Sequence, residues 1–272
     1  MAHMTWRLVL TGASGGIGQA LAVALAPYCT SMVLVGRNRG VLETLRERLG
    51  PHLVRIVVGD TTQAATLDAV AAASSELGGV SLLINNAGIN DFHAFQSQDP
   101  AALRNLLEVN LLAPMLLTQR LLPQLRNATR AQVINVGSLF GYLGYPGFAG
   151  YCASKAGLRG FTQALRRELA DTGVEVRHFI PRATRTPINA GPVEAMNAEM
   201  GVPLDEPADV ARQLCAFIEG SAWEHKPGLK EALLVLLNHL LPALPDRAIR
   251  GQLPVIRKHM PAPVRRAQPR SS

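Results

Sequence analysis

Tyr151 and Lys155 stand four residues apart in Tyr151-Cys152-Ala153-Ser154-Lys155, a spacing that puts both side chains on one face of a helix. A free phenol ionises near pH 10, too high to exchange protons efficiently near neutrality. A neighbouring ammonium favours the phenolate and lowers that value. Such a pair could move a proton on and off the oxygen of a carbonyl/alcohol couple while hydride moves to carbon. Taken alone, the pair is weak, because a surface tyrosine above a solvated lysine has the same spacing. Two further residues add to it. Ser138, in Asn135-Val136-Gly137-Ser138, follows an apolar strand-like run and could hydrogen-bond a substrate oxygen and stabilise developing charge. Asn110 is a polar residue inside the apolar, helix-like Glu108-Val109-Asn110-Leu111.

Hydride chemistry requires a carrier, and the N-terminal end has a turn suited to one. Thr11-Gly12-Ala13-Ser14-Gly15-Gly16-Ile17-Gly18 follows an apolar run at 8–10 and opens a helix-like stretch at 17–25. Glycines let backbone approach a pyrophosphate, and the helix N-terminus favours its charge. A lone glycine cluster also describes many tight turns; the strand before it and the helix after it are the context the motif needs. At the end of the second apolar run, Val35-Gly36-Arg37-Asn38 lacks the acidic residue that holds a ribose 2′-hydroxyl in NAD sites. Arg37 offers instead a guanidinium fork suited to a 2′-phosphate, which points to NADP(H).

Short Val/Ile/Leu-rich runs at 8–10, 32–35, 54–58, 82–84, 133–136 and 174–180 alternate with helix-like stretches at 41–49, 64–77, 101–125 and 155–170. Continuous apolar strands alternating with helices predict a parallel sheet covered on both faces. With right-handed crossovers this is an α/β, doubly wound Rossmann-type sheet in a single domain. The expected organisation is a catalytic domain at 5–220, a leucine-rich helical extension at 221–250, and a basic, Pro-rich, irregular tail at 251–272. Within the first of these, 181–207 carries five prolines and reads as a long loop holding one short helix.

Composition narrows the function classes. Only 17% of residues are charged and 48% are hydrophobic, which suits a large core rather than disorder. Cys29, Cys152 and Cys215 have no metal-type spacing and read as free thiols in a reducing compartment. No apolar run reaches the roughly 18 residues of a spanning helix, and the N-terminus has no signal-like segment. A cytoplasmic protein is expected. The net charge of +7 is concentrated late: Arg247, Arg250, Arg257, Lys258, Arg265, Arg266 and Arg270 have no acid among them. No nucleic-acid partner is expected. The tail reads as a solvated end, with peripheral membrane contact through 229–272 as the alternative.

With these residues in view, the chain resembles the classical short-chain dehydrogenase/reductase family over about residues 5–220. The matching elements are Thr-Gly-x-x-x-Gly-x-Gly at 11–18, Asp60 after the third strand, Asn85-Asn86-Ala87-Gly88, Asn110, Ser138 and Tyr151-x-x-x-Lys155. The resemblance implies a tetrad of Asn110, Ser138, Tyr151 and Lys155. Tyr151 would be the general acid/base. Lys155 would also hold the nicotinamide ribose, and Asn110 would position a relay water. It implies a cofactor site of Gly12, Ser14, Gly16, Ile17, Gly18, Arg37, Asp60, Asn86, Ala87, Gly88, Tyr151, Lys155, Pro181 and Thr186, with Asp60 at the adenine. It also implies a homo-oligomer.

Two departures stand out. The family's Pro-Gly-x-x-x-Thr is here Pro181-Arg182-Ala183-Thr184-Arg185-Thr186. Either Arg182 points away, or it puts a cation beside the active site for an anionic or carrier-linked substrate. The family's seventh strand is missing apart from a weak candidate at 222–225. The leucine-rich 229–241 follows, expected to be buried in the core or a subunit interface, with a substrate entrance or a membrane as the other readings. The activity expected is NADP(H)-dependent reduction of a ketone or 3-oxoacyl group on an apolar small molecule, or the reverse oxidation. The alternatives are a hydroxysteroid-like or other alcohol dehydrogenase, and a non-catalytic nucleotide-sensing protein on the same fold.

Overall fold

A computed structural model describes residues 5–262; the expected tail residues Arg265, Arg266 and Arg270 lie outside them. Six strands, β1 (Trp6–Thr11), β2 (Cys29–Gly36), β3 (Val54–Val58), β4 (Leu82–Asn85), β5 (Ala131–Val136) and β6 (Val174–Phe179), form one sheet in the order β3-β2-β1-β4-β5-β6. All pairings are parallel. The order reverses between β1 and β4, so the crevice where a doubly wound sheet takes its ligand opens at their C-terminal ends.

The apolar runs work because successive side chains alternate faces. Leu8, Leu10, Met32 and Leu34 pack on one side with Leu21 and Leu25 of α1 (Gly16–Leu25), Leu42 of α2 (Arg39–Leu49) and Leu214 of α8 (Pro207–Glu219). Val9, Val33 and Val35 pack on the other side. Their partners there include Leu67 and Val70 of α3 (Ala64–Glu76) and Leu117 and Leu121 of α5 (Ala113–Arg126). Both faces are dry, as the parallel arrangement demands.

The segment expected to be one helix at 101–125 is α4 (Pro100–Leu107) continuing through a π-helical turn, Glu108–Leu112, into α5. Asn110 sits in that turn. α6 (Ala149–Glu168) carries Tyr151 and Lys155. The Pro-rich 181–207 segment holds a short 3-10 turn, Pro187–Asn189, and α7 (Pro192–Glu199).

The C-terminal region differs from expectation in three ways. The seventh strand survives as a single parallel bridge, His178 to Glu224: the His178 amide donates to the Trp223 carbonyl and the His225 amide to the His178 carbonyl. The weak candidate at 222–225 is therefore correctly placed but too short to extend the sheet. The leucine-rich stretch forms α9 (Leu229–Leu240), yet none of its residues is buried in this chain, so the core reading is wrong. Residues expected to be irregular form α10 (Ala243–His259). α10 is ordered by packing rather than propensity. Ile256 is fully buried against Phe92, Phe148, Val193 and Met196, and Lys258 and His259 both bond Glu199 at 2.7 Å.

Candidate active site

The C-terminal ends of the strands and the loops after them enclose one cavity of about 720 Å³. Its nucleotide end is the turn between β1 and α1. Gly12 has φ +65°, and a Cβ there would lie 2.8 Å from the Ala87 Cα; at Gly18 it would lie 2.0 Å from the Gly12 carbonyl oxygen. Only glycine fits either place. The turn is tied to β4 by Asn86, whose Nδ2 donates to the carbonyls of Thr11 and Gly12 at 3.0 and 3.3 Å. Thr11 completes the tie, its Oγ1 accepting from the amides of Asn86 and Ala87 at 3.0 and 3.1 Å. Gly12, Ser14, Gly16, Ile17, Gly18, Asn86, Ala87 and Gly88 all line the cavity.

Arg37 and Asp60, from the ends of β2 and β3, line the same end. Arg37 is exposed and has no ion-pair partner among the described residues. Asp60 uses one carboxylate oxygen to accept from the Thr62 amide and hydroxyl, both at 2.9 Å.

At the other end, Ser138 leaves β5; its hydroxyl accepts from the Phe140 amide at 3.2 Å and lies close enough to the Tyr151 phenol to act on it. Lys155 is buried with its Nζ donating to the Val136 carbonyl at 3.0 Å, 5.8 Å from the centre of the Tyr151 ring. Burial pushes the Tyr151 phenol up to about 12, Ser138 pulling the other way, and pulls the Lys155 ammonium down to about 8. The expected lowering of the phenol by Lys155 is therefore not what the site shows. Desolvation dominates because both groups sit in a dry wall and the ammonium is held by a carbonyl.

Asn110 is fully buried behind this wall. Its Nδ2 donates to the Ile89 carbonyl at 2.8 Å and to Ser154 Oγ at 3.1 Å, and its Oδ1 accepts from the Ile89 amide at 2.8 Å. The side chain thus clamps the strand-end loop. A Cβ at Gly88 would lie 3.4 Å from Asn110 Oδ1 and 3.6 Å from Lys155 Nζ, so Asn110 and Lys155 border the same spot.

Pro181 and Thr186 line the cavity beyond β6, and the Thr186 methyl faces Gly16. Arg182 also lines it, but its charge is engaged. Its Nε lies 3.3 Å from Glu231 Oε1 and 3.9 Å from Asp205 Oδ1. An anionic substrate group there would have to displace two carboxylates, and the reading of Arg182 as a free cation for such a group is set aside.

The short chain dehydrogenase family model matches residues 7–197, most of the chain. The chain belongs to the short-chain dehydrogenase family. It is 31% identical over 173 residues to a 3-oxoacyl-[acyl-carrier-protein] reductase of Vibrio cholerae, covering 64% of this chain and 71% of that one. A short chain dehydrogenase from Burkholderia cenocepacia, solved with NADP, superposes with a TM-score of 0.78 at 25% identity, over 92% of this chain and 99% of that one. One from Burkholderia phymatum, solved with NAD, has a TM-score of 0.80 at 23% identity, over 90% and 96% of the two chains, and shares the fold. Membership makes this dehydrogenase an oxidoreductase with a nicotinamide cofactor.

The cavity fits such a cofactor on its own terms: a cradle that side chains would fill, a helix N-terminus at its base, and a continuous wall from Arg37 to Tyr151. Three residues with structural parts in this site were not singled out in the sequence. Ser154 joins Asn110 to α6, its hydroxyl donating to the Tyr151 carbonyl at 2.8 Å. Its place one residue before Lys155, on the buried side of the helix, was the available signal. Asn135 accepts from Asn85 across β4 and β5 at 2.8 Å and donates to Thr162 of α6 at 2.9 Å, fixing α6 against the sheet. That makes Asn85 a cross-strand strut rather than a turn residue. His178 lies fully buried under Gly137, and burial, with Lys155 and Arg159 nearby, pushes it down to about 3, so it is neutral.

Proposed function

We propose that this short-chain dehydrogenase uses NADP(H) to reduce a ketone or 3-oxoacyl group on an apolar substrate, or to oxidise the corresponding alcohol. The observation that carries the reading is the meeting of three groups at one point of the cavity wall. The Tyr151 phenol, the Ser138 hydroxyl and the Lys155 ammonium stand where the glycine-lined channel opens into an apolar chamber. That chamber is bounded by Phe140, Leu143, Phe148, Met196, Met200 and Leu234. An uncharged, lipophilic carbonyl compound suits those walls. The name of the Vibrio relative agrees with a 3-oxoacyl group.

A bound nicotinamide would supply or accept hydride. The rest is the work of this chain. Ser138 holds the substrate oxygen, and Tyr151 donates a proton to it in reduction or removes one in oxidation. The Lys155 cation stabilises the phenolate that forms and holds the nicotinamide ribose. Asn110, its side chain committed to Ile89 and Ser154, would position a relay water from the π turn. Arg37 would take the 2′-phosphate and Asp60 the adenine, and Pro181 and Thr186 would flank the nicotinamide.

The test is NADPH consumption against a panel of apolar ketones and 3-oxoacyl thioesters. Tyr151→Phe is expected to lose turnover by a factor on the order of 10²–10⁴ with NADPH affinity unchanged. Normal turnover in that variant would end the mechanism.

A further inference from the structure

A helix on a protein surface normally turns its apolar stripe inward. α9 carries apolar side chains on both sides. Leu234, Val235 and Leu237 are half-buried toward the protein, where two polar contacts also tie the helix: Glu231 Oε1 lies 3.3 Å from Arg182 Nε, and Asn238 Nδ2 donates to the Tyr142 carbonyl at 2.9 Å. Its outer side carries Leu229, Leu233, Leu236 and Leu240, which are 91, 56, 53 and 68% exposed. At about 100° per residue, these four fall within an arc of about 60°. Leu241 and Leu244, also more than half exposed, continue the apolar surface past the bend into α10.

The charge around this surface is predominantly positive. Residues 1–225 carry equal numbers of acidic and basic side chains, so the whole net charge of +7 lies in 226–272. Lys226, Lys230, Arg247 and Arg250 are all exposed there. The acids among the described residues of that segment are Glu231, which Arg182 engages, and Asp246. A surface that pairs outward leucines with surrounding cations matches a lipid interface, where apolar side chains enter the acyl boundary and cations meet anionic headgroups. A second copy docked through the same patch would instead bring two cationic clusters together. α9 and α10 are bent by 112°, and no single described helix is long and apolar enough to cross a bilayer. The arrangement suits a pair that lies on a membrane rather than one that spans it.

We propose that α9 and α10 form a docking surface for the face of an anionic lipid bilayer. The inner sides of the same helices, through Leu234, Pro245 and Ile249, line the cavity. A lipophilic substrate dissolved in the bilayer would then have a short path to Tyr151. That consequence rests on the proposed function; the docking does not.

The test uses the full chain in flotation with vesicles of phosphatidylcholine alone or mixed with phosphatidylglycerol, at low and high salt. Wild type is expected to float with the anionic vesicles and to lose about tenfold or more of that binding on neutral vesicles or at high salt. Leu233→Ser/Leu236→Ser/Leu240→Ser and, separately, Lys230→Glu/Arg247→Glu/Arg250→Glu are each expected to lose binding by a similar factor. Both should keep wild-type NADPH affinity, a readout that does not need the substrate. The charge-reversal variant leaves the leucines in place, so the test stands even if the serine variant fails to fold. Three results would overturn the proposal: no flotation of wild type, equal binding to both vesicle types, or a lipid-free dimer that the leucine substitutions dissociate.

Discussion

At the scale of single residues, desolvation sets the direction in which the site is ready to work. The Tyr151 phenol, pushed up to about 12, stays protonated across the physiological range and is a standing donor for reduction. What varies with pH is its neighbour. Lys155, pulled down to about 8, is a cation below that pH and neutral above it. Reduction leaves a phenolate, which the cation stabilises and the neutral amine does not. With saturating NADPH and ketone, the rate of reduction is therefore expected to be flat up to about pH 8 and to fall above it. A pH–rate profile that climbs from 8 to 10 would contradict this. Arg37 admits a second test. A charge-assisted bond to a 2′-phosphate is worth roughly 1.5–3 kcal/mol, so Arg37→Asp should weaken NADPH by about ten- to hundred-fold or more, with little loss for NADH. Titration of both nucleotides on both proteins decides it; equal affinities in wild type would remove the NADP(H) assignment.

At the scale of elements, Arg182 has changed its meaning. It stands on the loop after β6 and reaches Asp205, before α8, and Glu231, on α9. It is a strut between the loop and the C-terminal helices. Arg182→Ala should loosen α9 and raise KM for neutral and anionic substrates alike, while NADPH affinity holds. Steady-state kinetics with a matched pair of substrates checks this, and a loss confined to the anionic one would restore the substrate role. The case also shows where sequence reading stops. The sheet, the cradle and the Tyr151/Lys155 face were legible because strand and helix periods and the strand–turn–helix context are local. Arg182's partners lie 23 and 49 positions away in the chain, and nothing local announces them. α10 was hidden by Pro254 and a basic composition that argue for irregular chain; its order comes from Ile256 reaching a distant aromatic cluster. For α9 the leucine spacing told which residues share a face. It could not tell which face looks inward, because leucines occur all round the helix and its inner contacts mix Leu234 with Glu231 and Asn238.

At the scale of the whole molecule, two outward leucine-rich surfaces among the described residues differ in their charge surroundings. Besides the cation-rimmed leucines of α9, Leu107, Leu112 and Leu116 are 36, 46 and 40% exposed along α4, the π turn and α5. Leu112 and Leu116 are one turn apart and share a face. The charges near them are mixed in sign: Arg104 and Glu108 are close in the chain, and Arg120 is already paired with Asp68. Two copies can meet there without like charges opposing each other, so this surface, and not α9, is the expected self-association site. Light scattering on lipid-free protein should show an oligomer that Leu112→Arg/Leu116→Arg shifts toward the monomer. The substituted positions lie outside the cavity lining, so the variant's NADPH binding should persist. The leucine-to-serine changes on α9 should leave the oligomer intact. If they dissociate it and the α5 changes do not, the two surfaces have been assigned the wrong way round.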